Sequence, residues 1–186
     1  MDIDKKKIIL NHEILNALTA LNFMADELPE AQGRKVAGII HMAGLMVKYE
    51  ALILSEDAST FSEELSLKEL MDLVLTVNED TLREAVVRGP TGDLKVKADK
   101  NQLKELLNLV VAILIESSSE IRFEIEKKSL RISYQGKAIE KPAAEMLDCL
   151  QKKDMAGFQL GLIEALGKLN GVEVGYAEKE IRLNFI

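Results

Sequence analysis

The sequence is poor in the residues that stabilise small secreted proteins or bind metals. Its 186 residues include one cysteine, Cys149, and two histidines. A single cysteine forms no internal disulfide, and these three residues lie too far apart in sequence to form a regular metal-binding motif. The chain does not open with the basic stretch and short apolar segment of a secretion signal. We therefore expect a cytoplasmic protein without a metal site or another bound cofactor.

Long hydrophobic runs and an excess of positive charge are also missing. The longest apolar stretches, 43–54 and 106–115, are interrupted by polar residues and fall short of the roughly 20 residues that cross a bilayer. The formal net charge is -7, from 24 basic and 31 acidic residues. This balance repels phosphate backbones and anionic membrane surfaces, so neither nucleic acid nor a membrane is an expected partner.

What the sequence does contain is enough apolar material for a folded core. Hydrophobic residues make up 47% and charged residues 30% of the chain, which is the ordinary range of globular proteins. The length suits one domain or two small ones. Residues 55–64 are polar and lack periodicity, as in a linker, and we place a boundary near Asp57. The predicted domains are therefore 1–57 and 58–186.

The first of these domains is predicted to be a helical hairpin. Apolar residues recur at alternating spacings of four and three, which is the pattern of a bundle helix. Pro29 and Gly33 then end this helix, and a second helix with a broad apolar face follows. Because an isolated hairpin would leave part of this apolar surface in water, we predict a homodimeric four-helix bundle. The first seam consists of Leu10, Ile14, Ala17, Leu21, Met24 and Leu28.

The histidine of the first helix is predicted to face solvent. His12 lies two positions after Leu10, which is roughly 200° around the helix from the seam. Asn16 and Thr19 share that outward side, and Leu15 and Phe23 flank it. An exposed imidazole on a rigid helix with apolar margins suits the docking of another protein. The other histidine, His41 in the second helix, is interpreted as structural or as a surface residue.

Residues 12–19, with the sequence HEILNALT, resemble the H-box of two-component histidine kinases. In that family the segment opens the dimerisation and phosphotransfer domain. The resemblance implies that His12 accepts a phosphoryl group, that Glu13 is the adjacent acidic residue, and that Asn16 is the polar residue that positions water for phosphatase activity. Ala17 replaces the usual proline. The resemblance also implies the dimeric bundle that the periodicity predicts independently.

The second domain is predicted to be an α+β sandwich. Ser66 and Asp99 each cap a helix, and the first of these helices is predicted to run toward Val87. Alternating residues predict one hairpin at 121–134 and a second at 172–185, with a final helix from about Gln159 between them. Another helix is predicted between Pro142 and Gly157. Together these elements form a mixed sheet with helices on one side.

This order of elements resembles the ATP-binding domain of histidine kinases, with a nucleotide site that has lost key residues. Ala112 stands at the place of the magnesium-binding asparagine, and Tyr134 at the place of the aspartate that reads the adenine amino group. Gly157 and Gly161 are two of the three glycines of a phosphate loop, and we interpret them as positions of close packing. Only about twenty residues separate these boxes, fewer than the usual lid. Strong ATP binding is therefore not expected.

A chain with this histidine but without the nucleotide residues resembles the dimeric histidine phosphotransferases of phosphorelays. The resemblance implies that His12 takes a phosphoryl group from an aspartyl phosphate of a response-regulator receiver domain and passes it to a second receiver. Glu13 would orient the imidazole or accept its proton. Mg²⁺ would come with the receiver. Leu15, Thr19 and Phe23 are the predicted docking surface.

Two alternatives stay open at this point. The chain could be a divergent histidine kinase core that still binds ATP and phosphorylates itself. It could also be a non-catalytic dimer that sequesters response regulators or promotes their dephosphorylation through Glu13 and Asn16.

Overall fold

The computed structural model describes residues 3–25, 27–50, 62–79, 82, 85–140, 148–149, 152 and 154–186. Within these ranges the side chains of residues 3–10, 12, 13, 31, 34, 35 and 42 lie outside the description. The chain divides into two compact units, Met1–Ser59 and Thr60–Ile186. The boundary predicted near Asp57 falls outside the described residues and stays a prediction.

The first unit is a pair of helices, as the periodicity predicts. Helix α1 spans Ile3–Ala25 and helix α2 spans Glu30–Tyr49. Pro29 is the N-cap of α2, where its missing N–H removes no helical hydrogen bond. Gly33 lies so close to α1 that an added Cβ would come within 2.6 Å of the carbonyl oxygen of Ala25. Pro29 therefore lies in the turn of the hairpin, as predicted, whereas Gly33 lies in the first turn of α2, where the lack of a Cβ lets α1 approach closely.

Few of the described side chains in the helix pair are fully buried. Ala25 near the end of α1 and Leu45 in α2 are buried. At the other end of the hairpin the amide Nδ2 of Asn11 donates to Oε2 of Glu50 at 2.8 Å. Most of the other described apolar side chains of the hairpin are only partly covered. A dimeric four-helix bundle stays a prediction.

The second unit mixes strands and helices, as predicted for an α+β sandwich. In chain order its elements are β1 (Ser62–Ser66), α3 (Leu67–Val77), β2 (Val86–Thr91), β3 (Lys95–Asp99), α4 (Lys100–Ser117), β4 (Ser118–Ile125), β5 (Ser129–Gly136), α5 (Met155–Leu169), β6 (Val172–Ala177) and β7 (Glu180–Phe185).

Five of the strands form one mixed sheet in the order β2-β4-β5-β7-β6. Strand β2 runs parallel to β4, and the other neighbours are antiparallel. Strands β1 and β3 form a separate antiparallel pair. Alternation along β4 places Ile121 and Phe123 in the core, while Glu120 and Glu124 on the other face form ion pairs with Arg88 and Arg131.

The core of this unit lies between one face of the sheet and its helices. Helices α3, α4 and α5 each present a buried apolar stripe. The bulkiest fully buried side chains are Phe123, Phe158, Leu67, Met71, Leu103, Leu106, Leu107, Leu114, Ile121, Leu130, Ile132 and Leu162. None of the helices in the described part of the chain is long and apolar enough to span a bilayer.

Both predicted helix caps are confirmed. The hydroxyl of Ser66 accepts from the N–H of Glu69 at 3.2 Å. The carboxylate of Asp99 accepts from the N–H groups of Asn101 and Gln102, each at 2.9 Å. Each cap satisfies N–H groups that the first turn of a helix leaves without a partner. The two predicted hairpins are present as β4–β5 and β6–β7.

Two predicted helix bounds are wrong. Helix α3 ends at Val77 with Asn78 as its C-cap, whereas Val87 belongs to strand β2. This strand was missed because Gly89 and Pro90 signal a break, yet β2 is an edge of the described sheet, where proline is tolerated. Helix α5 begins at Met155, four residues before the predicted start. The helix predicted between Pro142 and Gly157 falls largely outside the described residues.

Candidate functional site

The outward face of α1 is where the sequence places the phosphoacceptor. The backbone of residues 12 and 13 is helical, and the side chains of His12 and Glu13 lie outside the described part of the structure. Further along this face, Asn16 and Thr19 are exposed, and Phe23 is 70% exposed. The Thr19 hydroxyl donates to the carbonyl oxygen of Leu15 at 2.9 Å. The face predicted to meet a partner is therefore accessible in the single chain.

A groove of about 280 Å³ runs between α1 and α2 next to this face. It brings together all three predicted docking residues, Leu15, Thr19 and Phe23. Helix α2 contributes Ile40, His41, Gly44, Leu45 and Lys48 to the opposite wall. The groove thus combines an apolar lining with two basic side chains, His41 and Lys48.

The position of His41 differs from the sequence interpretation in one respect. His41 is an exposed residue, as expected, but it lines the groove with the predicted docking residues. Residues 41, 44, 45 and 48 follow the spacing of one helical face. That spacing could have revealed the second wall of the groove from sequence alone.

The predicted bundle seam is largely uncovered in the single chain. Large apolar side chains of α1, α2 and the turn between them are exposed on the hairpin, where a monomer would leave them in water. The exposed residues that belong to the first predicted seam are Ile14, Leu21, Met24 and Leu28, and those in α2 are Ile39 and Met46.

In the second unit, Tyr134 is the residue that the sequence resemblance sets at the place of the adenine-reading aspartate. The residue is 4% exposed at the end of β5. Its phenol oxygen accepts a hydrogen bond from the backbone N–H of Ile139 at 2.8 Å. The chain after β5 therefore folds back onto the phenol, and the Tyr134 oxygen is an acceptor for the protein's own backbone.

The position in α4 that the sequence resemblance sets at the Mg²⁺-binding asparagine carries no oxygen ligand. Ala112 is half-buried between the buried residues Val111 and Ile113, so a shift of one position in either direction restores no oxygen ligand. The nearest amide, Asn108, accepts from Nδ2 of Asn78 at 3.2 Å and is directed toward α3. No group of three potential metal-binding side chains occurs among the described residues.

The glycines of the predicted phosphate loop belong to helix α5. A Cβ added at Gly157 would lie 2.7 Å from Sγ of Cys149, which is buried. This close approach agrees with the packing interpretation of Gly157. The carboxylate of Asp154 caps the helix by accepting from the N–H of Gly157 at 3.0 Å. A negative charge of the protein itself therefore occupies a helix end that would otherwise favour phosphate.

Two comparisons with known proteins find nothing, since no family model and no curated protein matches the chain. Solved structures do resemble it. The cytoplasmic segment of histidine kinase QseC is 16% identical, with a TM-score of 0.57 over 77% of this chain and 93% of that one. Histidine kinase AdeS of Acinetobacter baumannii is 14% identical, with a TM-score of 0.57 over 96% of this chain and 93% of that one.

An isolated kinase domain also resembles part of this chain. The ATP-binding domain of PrrB from Mycobacterium tuberculosis is 9% identical, with a TM-score of 0.54 over 68% of this chain and 97% of that one. At such low identities the likeness establishes the fold. The chain has a histidine-kinase-like fold, and its mixed sheet with three helices resembles the kinase ATP-binding domain.

Proposed function

We propose that this chain is a divergent histidine-kinase core that works as a histidine phosphotransferase, with His12 as the phosphoryl carrier between receiver domains. This proposal is supported by a kinase-like fold together with changed residues at the positions where the sequence resemblance predicts nucleotide contacts. Tyr134 is bonded to the chain's own backbone, and Asp154 caps the helix that would face phosphate. A core that cannot load its histidine from ATP still can load it from an aspartyl phosphate.

The proposed reaction is in-line transfer to a neutral imidazole. A ring nitrogen of His12 attacks the phosphorus of the receiver's aspartyl phosphate, the P–N bond forms, and the P–O bond to the aspartate breaks. The aspartate leaves as a carboxylate, and Glu13 accepts the proton that the second ring nitrogen releases. Mg²⁺ bound by the receiver neutralises charge on the phosphoryl oxygens. The reverse sequence loads the second receiver.

The proposal includes a homodimer. A second copy is the simplest cover for the exposed apolar residues of the hairpin, because two hairpins give the four-helix bundle that the seam predicts. Receiver domains are proposed to dock on the groove that contains Leu15, Thr19 and Phe23. Its basic residues, His41 and Lys48, are complementary to the acidic phosphorylation site of a receiver.

The second candidate is an ATP-dependent kinase core. The fold favours it, because the structural relatives are histidine kinases and one of them is named as an ATP-binding domain. The side chains at the altered site argue against it, since ATP would have to bind without the adenine-reading carboxylate and without the asparagine ligand of Mg²⁺. The two candidates differ only in the source of the phosphoryl group.

One experiment separates them. The full chain is incubated in parallel with Mg-ATP labelled in its γ-phosphate and with receiver domains of the source organism that carry a labelled aspartyl phosphate. We expect acid-labile, base-stable label on the protein from a phospho-receiver and none from Mg-ATP. His12→Gln should abolish the label. His41→Gln keeps the phosphoacceptor and removes one docking contact, so it should slow labelling without abolishing it. Label from Mg-ATP would establish the kinase, and absence of label from both sources would leave a regulator without phosphotransfer.

A further inference from the structure

The second unit contains a pocket that the proposed phosphotransfer does not use. It has a volume of about 350 Å³ and lies between strand β3, the β4–β5 turn and the end of β7. Four exposed lysines line it, Lys95, Lys97, Lys127 and Lys128, and no acidic residue does. None of these ammonium groups has an ion-pair partner among the described residues. The whole chain has a net charge of -7, so this pocket is a positively charged patch on an acidic protein.

Apart from the polar side chain of Asn170, the rest of this lysine pocket is mostly apolar. Val96 is buried at its base, and Leu94 and Phe185 are half-buried beside it. A free inorganic anion would use the ammonium groups and leave these side chains without contact. The lining therefore fits a ligand that alternates negative charges with apolar groups.

Strand β3 also offers a free backbone edge to the pocket. It pairs with β1 through Val96 and Ala98, and on that same side the carbonyl oxygen of Leu94 accepts from the N–H of Leu67 at 2.9 Å. The N–H of Asp99 points the other way, toward Oδ1 of Asn170 at 2.9 Å. Because backbone groups alternate along a strand, the N–H and C=O groups of Lys95 and Lys97 share the direction of Asp99 and are turned away from β1.

We propose that the lysine pocket binds an extended acidic segment of a partner protein, which adds to the free edge of β3 as a strand. Main-chain hydrogen bonds to Lys95 and Lys97 would hold the segment. Its acidic side chains would meet the four ammonium groups, and its alternate apolar side chains would contact Val96 and Phe185. A nucleic acid or an anionic membrane fits less well, because a large polyanion would extend beyond this single pocket onto an acidic protein.

The test uses a fluorescein-labelled peptide of about ten residues, alternating glutamate and valine, and fluorescence polarisation with the full chain. The double variant Lys95→Gln/Lys127→Gln should bind the peptide about tenfold more weakly, since two exposed charge contacts are lost. The matched control, Lys137→Gln/Lys152→Gln, removes two exposed lysines outside the pocket and should change affinity less than about threefold. Equal losses in both double variants, or no binding of the peptide by the wild-type chain, would overturn the proposal.

Strand addition is tested with two N-methylated versions of the peptide. One is methylated on the backbone amides of its glutamates, and the other on the backbone amides of its valines. In an added strand only one set donates to β3, so one version should lose binding and the other should keep it. Equal behaviour of the two versions would contradict strand addition.

Vesicles of anionic phospholipid and a single-stranded RNA serve as competing probes for the lysine pocket. Binding of either one that Lys95→Gln/Lys127→Gln abolishes would assign the pocket to that polyanion instead.

Discussion

The two units of this chain differ in how much of their own hydrophobic surface they cover. In the sheet unit, Phe123 and Phe158 have no exposed surface at all. In the helical unit, Phe23 and Ile39 are each 70% exposed. Exposed apolar residues on one compact element are typical of surfaces that bind partners. The described core of the sheet unit encloses its bulkiest side chains, whereas the hairpin leaves several bulky side chains exposed.

The same contrast holds for the chemistry of the two units. The helical unit keeps a string that resembles a phosphoacceptor motif, on a face that is open at Asn16 and Thr19. In the sheet unit, residues at or beside the predicted nucleotide positions contribute to the fold itself, through the bond of Tyr134 to Ile139 and the cap of Asp154. The reactive part of the molecule is therefore expected in the unit that is less well packed.

The largest effect should come from truncating matched phenylalanines in the two units. Phe123→Ala removes a fully buried ring of the sheet core and should lower the free energy of unfolding by about 3 to 5 kcal/mol. Phe23→Ala removes an exposed ring and should change it by no more than about 0.5 kcal/mol. Urea unfolding followed by far-UV circular dichroism measures both. A large loss in Phe23→Ala would show that this ring is already buried in solution, and the contrast between the units would disappear.

The secondary structure was predictable where the signals are local. The caps Ser66 and Asp99 and the alternation in β4–β5 depend on neighbouring residues, and each is confirmed. Strand β2 was missed because its hydrogen bonds come from β4, more than 30 positions away, while Pro90 signals a break locally. The earlier start of α5 was missed although Asp154 is a common N-cap residue.

The site was predictable only in part, for a similar reason. Leu15, Thr19 and Phe23 line one groove because helical spacing puts them together. The changed residue types at the predicted nucleotide positions were also visible in the sequence. The contacts that these residues make in the fold were not visible in the sequence. The hydrogen bond between Tyr134 and Ile139 forms only because the chain after β5 folds back. The lysine pocket had no signal either, since its four lysines lie in two pairs 30 residues apart.

The second largest effect should come from a charge placed on the exposed apolar seam of α1. Leu21→Glu should weaken the proposed homodimer about 100-fold, because an unpaired carboxylate in the bundle interior costs roughly 3 kcal/mol. Thr19→Glu introduces the same charge roughly 160° around α1 and should leave dimerisation unchanged. Sedimentation equilibrium over a range of concentrations measures both variants. A wild-type chain that is monomeric at all concentrations would contradict the dimer, and the exposed face would then need another partner.

The smallest effect concerns two tyrosines of the sheet unit that differ in hydrogen bonding. The Tyr134 hydroxyl accepts from Ile139, whereas the Tyr176 hydroxyl is buried without a hydrogen-bond partner in the described part of the chain. Tyr134→Phe should lower the free energy of unfolding by about 1 to 2 kcal/mol, because it leaves the N–H of Ile139 without its partner. Tyr176→Phe should raise it by about 1 kcal/mol, because it removes an unsatisfied hydroxyl.

A pH series checks the second of these changes independently. Burial, and then the nearby charge of Glu164, raise the pKa of Tyr176 above its ordinary value of 10.0. Above about pH 10 the unfolded chain releases this proton while the folded chain retains it, so the wild type should lose stability as the pH rises. Tyr176→Phe should lose less over the same range. Parallel pH curves for the two proteins would mean that the Tyr176 hydroxyl reaches water, and the sheet unit would then be less completely packed near strand β6 than at its centre.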